Sequence, residues 1–81
     1  MMAGEYRPIH PDYFQFLESL MSLAKQIEIR YMKDGIENTT FGIITSIFDR
    51  DQMEYLRLDN GKEIRLDKIV SADNYGAPKR V

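Results

Sequence analysis

YFQFLESLMSLAKQIEIRY, residues 13–31, changes its hydrophobic period part-way along, and that change decides the fold. In its first half, apolar residues recur every three or four positions at Tyr13, Phe16, Leu17, Leu20, Met21 and Ala24. Gln15, Glu18, Ser19 and Ser22 fall on the other side, and Phe14 lies at the margin of the stripe. This spacing gives a helix with one broad apolar face. From Gln26 the pattern alternates instead, with Ile27, Ile29 and Tyr31 on one side and Glu28 and Arg30 on the other. Alternation of this kind reads as a half-buried strand.

Upstream, Pro11 suits the first turn of a helix, with His10 at the cap and Asp12 placed well for the helix dipole. Lys25 complements the other end, so the helix is predicted over about 11–24. Arg7-Pro8 favours an extended approach, which makes residues 1–10 an irregular amino-terminal segment. Downstream, Asp34-Gly35 is a hairpin signal, followed by a long β-prone stretch from Ile36 to Phe48. Gly42 in its middle reads as a bend or bulge. Asp49-Arg50-Asp51 is a polar turn, and Met53–Leu58 a third strand with Leu56 and Leu58 inward. Asn60-Gly61 marks another tight turn before a strand over Lys62–Leu66. A last strand follows around Ile69–Ala72, and 74–81 reads as a flexible tail. The expected fold is mainly β with one N-terminal α-helix, a small five-stranded antiparallel barrel forming a single domain over 11–73.

Composition narrows the function classes. The 81 residues are 43% hydrophobic and 30% charged, a globular balance for one small domain. There is no cysteine, which removes a disulfide framework, a thiolate metal site and a cysteine nucleophile together. No stretch approaches the roughly 20 apolar residues that span a bilayer. Met1 to Tyr6 also lacks the basic start and apolar run of a secretory signal, so a cytoplasmic location and no membrane partner are expected. The net charge of −2 argues against direct nucleic-acid binding, which calls for a basic excess.

No catalytic constellation is visible. Asp34, Asp59 and Asn60 sit in turns, where their side chains support the turn itself. Glu28, Glu54 and Glu63 sit near Arg30, Arg57 and Arg65, a pattern that cross-strand ion pairing explains. His10 is the single histidine and has no partners for a metal or a base role. Asp49-Arg50-Asp51 lacks the glycine and bidentate glutamate of a calcium loop. The expectation is a non-enzymatic binding module with no cofactor and no metal.

Two stretches carry a family resemblance. The first is Tyr6-Arg7-Pro8-Ile9, then Asp12-Tyr13 and Leu17-Glu18. The second is Glu54-Tyr55-Leu56, then Glu63-Ile64-Arg65-Leu66-Asp67-Lys68-Ile69. In order, separation and total length they resemble the Rho-binding antiterminator (Rof) family over roughly residues 6–73. That resemblance implies an Sm-like fold and inhibition of the transcription terminator Rho. The inhibitor occupies Rho's RNA-binding domain and blocks RNA loading. It further implies that Asp12, Tyr13, Phe14 and Glu18 contact Rho, with Arg50 and Gln52 as a second contact. The family carries an acid directly after the tyrosine, where this chain has Phe14, and a more basic turn where this chain has Asp51. The alternative is an Sm-like RNA-binding or oligomeric adaptor module using Tyr55, Arg57, Lys79 and Arg80. A monomer is the expected state for the inhibitor.

Overall fold

A computed structural model describes residues 8–77. The expectations for 1–7 and for Lys79 and Arg80 lie outside the described residues. Helix α1 runs Pro11–Leu23, with Pro11 at its first position and His10 as its N-cap. The His10 Nδ1 accepts a hydrogen bond from the Asp12 N–H at 3.1 Å, satisfying one of the donors a helix start leaves open. The helix stops one residue earlier than the periodicity suggests because Ala24 turns left-handed (φ 51°). The Ala24 N–H then donates to the Met21 carbonyl (3.0 Å) and the Lys25 N–H to that of Leu20 (3.3 Å), the paired bonds of a Schellman end. Tyr13, Leu17 and Leu20 are buried, Phe16 and Met21 half-buried, and Ala24 is exposed.

Six strands follow: β1 (Gln26–Lys33), β2 (Ile36–Arg50), β3 (Met53–Leu58), β4 (Glu63–Arg65), β5 (Ile69–Ala72) and β6 (Tyr75–Gly76). All neighbours are antiparallel. β2 serves two partners. Its residues 36–43 pair with β1, and Ile44 to Arg50 pair with β3 after a register shift between Ile44 and Ser46. Gly42 lies just ahead of that switch, where the sequence placed a bend. α1 packs mainly on β2. The residues sealed most completely are Leu17, Ile29, Ile44, Leu56, Leu58 and Leu66, so one core joins the helix to both ladders.

The expected five-stranded barrel is corrected in two respects. The strand order is β4-β3-β2-β1-β5-β6, a six-stranded sheet that does not close. β4 has only three residues, and a 3₁₀ turn over Leu66–Lys68 carries the chain away from it. β5 pairs with β1, Ile29 opposite Ala72, and among the described residues the outer edge of β4 has no strand beside it. The sixth strand arises because Asp73 and Asn74 both take positive φ (54° and 66°), the backbone of a tight hairpin turn. This sets Tyr75 opposite Ala72 and Gly76 opposite Ser71, where the sequence suggested a tail from 74. Among the described residues, no helix is long and apolar enough to cross a membrane.

The turn expected at Asp49-Arg50-Asp51 sits further along. Asp49 and Arg50 remain in β2, opposite Glu54 and Met53, and the reversal falls on Asp51 and Gln52. Both have positive φ, 54° and 65°. Glutamine has no local reason to be left-handed, a conformation costing an L-residue about 1–2 kcal/mol. Gln52→Gly is therefore expected to raise the unfolding free energy by about 1 kcal/mol, read as a higher urea midpoint at unchanged slope.

Candidate functional site

The residues singled out in the sequence fall into two groups. On α1, Asp12 and Glu18 are exposed beside Gln15, Ser19 and Ser22, while Phe14 is half-buried against the core. Tyr13 is 3% exposed and turned inward. Its hydroxyl donates to the Tyr75 carbonyl at 2.7 Å. Burial pushes that hydroxyl up to about 12, with a backbone contact to Ala72 pulling the other way. Phe16 lies between Tyr13 (centroids 5.5 Å) and Tyr75 (4.8 Å), so three rings and one hydrogen bond tie α1 to β6. Tyr13 thus acts as an anchor, and the helix presents Asp12 and Glu18 to solvent.

The second group lies on the outer face of β2, β3 and β4. Pleating places Phe48 and Arg50 of β2, Tyr55 and Arg57 of β3, and Glu63 of β4 on one side of the sheet. Phe48 and Tyr55 are register partners with rings stacked at 5.6 Å and 11°. The Arg50 guanidinium lies over both rings, at 5.1 and 5.3 Å, and that of Arg57 over Phe48 at 5.2 Å. Both arginines converge on Glu63. Arg50 donates to its two oxygens (2.9 and 3.4 Å) and Arg57 donates twice to Oε2 (3.1 and 2.8 Å). Gln52 is exposed in the turn beyond. No hydrogen bond, ion pair or ring contact joins Arg50 or Gln52 to Asp12, Phe14 or Glu18 among the described residues.

Sequence reading located Arg50, Tyr55 and Arg57 but not the assembly they make. Phe48, which the sequence did not single out, and Glu63, which it marked for a cross-strand ion pair, complete it, and the signal for the whole was the β2–β3–β4 register, which tight turns largely fix. The expected cross-strand ion pairing is found between Arg30 of β1 and Glu37 of β2 (3.7 Å) and between Arg57 of β3 and Glu63 of β4 (2.8 Å), and Arg30 also donates to the buried Ser71 hydroxyl (3.0 Å). Arg65 pairs with Asp67 at 2.6 Å.

The cluster has a pH signature. Hydrogen bonds from Arg50 and then Arg57 hold the Glu63 carboxyl below the usual carboxylate range, and Glu63 in turn raises Arg50. A carboxylate depressed on folding contributes stability that is complete above its unfolded value. That contribution is lost as pH falls through the folded value. Glu63→Gln is expected to lower the thermal midpoint at pH 7 and to flatten the acid decline below about pH 4.3, the ordinary glutamate value. Thermal melts of both proteins between pH 7 and pH 3 check this, and parallel curves would refute it.

Among the described residues, no group of three or more His, Cys, Asp or Glu could hold a metal ion. Comparison of the chain with protein-family models, curated proteins and solved structures finds no match.

Proposed function

We propose that the chain is a non-enzymatic binding module that inhibits the terminator Rho by laying the acidic face of α1 on Rho's basic RNA-binding domain. The observation that carries this reading is the charge of the helix. Its only charged residues are Asp12 and Glu18, and both are exposed. A negative face of this kind competes with RNA for a cationic surface. The resemblance of the helix and of the β3–β4 stretch to the Rof family names the partner. The order of one helix and then short antiparallel strands, with β2 bent, supports an Sm-like relationship. The open sheet and β6 depart from it.

In this reading the exposed Asp12 and Glu18 are the contacts, with Phe14 as a half-buried margin and Tyr13 as the residue that fixes the helix. Arg50 would reach a partner only while still held by Glu63. The test is isothermal titration of the 81-residue protein against its host's Rho, with and without saturating single-stranded RNA. Binding that RNA abolishes is expected. Asp12→Lys with Glu18→Lys should weaken it at least about tenfold while leaving circular dichroism and the melting temperature unchanged, because both side chains are exposed. Unchanged affinity in that variant would overturn the surface, and no binding to Rho would overturn the partner.

A further inference from the structure

The chain's charge is more unevenly distributed in space than along the sequence. Between the end of β1 and β4 lies an open cleft of about 230 Å³, lined among others by Tyr31, Met32, Tyr55, Glu63, Ile64 and Arg65. Lys33, Lys62 and Lys68 stand around it. They come from three separate places in the sequence, all three are exposed, and none makes an ion pair among the described residues. The one acid that lines the cleft, Glu63, is already held by Arg50 and Arg57, and Asp67 beside it by Arg65. Four cations, Lys33, Lys62, Arg65 and Lys68, thus line the cleft against one acid, Glu63, leaving seven cations and twelve acids for the rest of the chain. An acidic protein thus carries a cationic cleft.

The cleft also borders the unpaired edge of the sheet. Among the described residues β4 is the terminal strand and pairs with β3 alone, so its other side presents backbone groups with no described strand beside them. Such an edge selects an extended peptide, whose own N–H and C=O groups continue the ladder while alternate side chains meet the cleft. A single-stranded nucleic acid has no backbone to match that edge, and the two rings that line the cleft are already packed against the protein. Tyr31 is 8% exposed, and the Tyr55 ring lies against Phe48 and Arg50. From the free edge and the three uncompensated lysines together, we propose that this cleft binds an extended acidic segment of a partner protein. The segment adds a strand to β4, with its carboxylates on Lys33, Lys62 and Lys68. The proposal stands independently of the Rho reading, which rests on α1.

The probe is a fluorescein-labelled ten-residue peptide alternating glutamate and valine, followed by fluorescence anisotropy with the full chain. Saturable binding that weakens as salt rises is expected. Changing Lys33, Lys62 and Lys68 together to glutamate should reduce affinity at least about tenfold, with circular dichroism confirming the fold. Methylating alternate amide nitrogens of the peptide should abolish binding to the unaltered protein, a measurement that requires no variant to fold. No binding of the peptide, or binding indifferent to both changes, overturns the proposal. So does a labelled single-stranded RNA that binds more tightly than the peptide at the same lysines. Sedimentation as a dimer that the lysine changes dissolve would also overturn it, by placing a second copy on the β4 edge.

Discussion

Leu17→Ala is expected to lower the unfolding free energy by about 3 kcal/mol, read as a fall in the urea midpoint. Leu17 is fully buried at the centre of the α1 stripe, between Tyr13 and Leu20. Truncation removes about three carbons' worth of transfer free energy, near 0.8 kcal/mol per methylene, and adds the cost of the space left behind. A domain of this size has a total stability on the order of 4–12 kcal/mol, so the variant still folds with a much reduced margin. The loss should be local first. α1 is held by its buried stripe and by the Tyr13–Phe16–Tyr75 group, whereas β1 and β2 share a ladder from Gln26 to Lys33. Amide exchange in α1 should accelerate more than exchange in β1, and partner affinity should fall with it, because Asp12 and Glu18 ride on that helix. Leu23→Ala is the control. Leu23 is 71% exposed, and its truncation should stay within about 0.5 kcal/mol. Equal costs at the two leucines would refute the packing of the helix.

The contrast between Leu17 and Leu23 shows what the sequence could reveal. Where one face is buried and the other wet, period alone separates them. That is how α1, β1 and the inward Leu56 and Leu58 of β3 were legible. Asp34-Gly35 and Asn60-Gly61 were legible because glycine supplies positive φ at Gly35 and Gly61. Asp51-Gln52 and Asp73-Asn74 make equivalent reversals without glycine, so β2 runs two residues past its expected end at Phe48, and the second reversal hid β6. Tyr13 marks a limit of another kind. Its place in the stripe announced burial, yet the acceptor of its hydroxyl, the Tyr75 carbonyl, lies 62 residues away. The Arg50–Glu63–Arg57 cluster and the three-lysine cleft depend in the same way on strand pairing. A net charge of −2 concealed both.

Gly42 is where sequence and structure give the same residue different weights. Its reading as a bend needed only its isolation within a β-prone run; the structure shows what occupies the missing side chain's place. A Cβ at this position would lie 2.7 Å from Asp59 Oδ1 and 3.3 Å from Leu58 Cβ. That carboxylate oxygen accepts from the Ile43 N–H at 3.1 Å, and the Asp59 N–H donates to the Ile43 carbonyl at 2.9 Å. Asp59 therefore clasps β2 at the point where β2 passes from β1 to β3. Gly42→Val is expected to cost about 3 kcal/mol, since a branched side chain meets both the carboxylate and Leu58. Gly42→Ala should cost less, about 1–2 kcal/mol, mostly by expelling the Asp59 carboxylate from its bond to Ile43. In an Asp59→Ala background the methyl group's nearest obstacle is gone, while alanine retains its advantage over glycine inside a strand, about 0.5–1 kcal/mol. Gly42→Ala should then be close to neutral, giving a coupling of about 1 kcal/mol or more in a double-mutant cycle of urea denaturations. The same cost in both backgrounds would mean that Asp59 does not hold the switch. The bend of β2 would then rest on the irregularity between Ile44 and Ser46 alone.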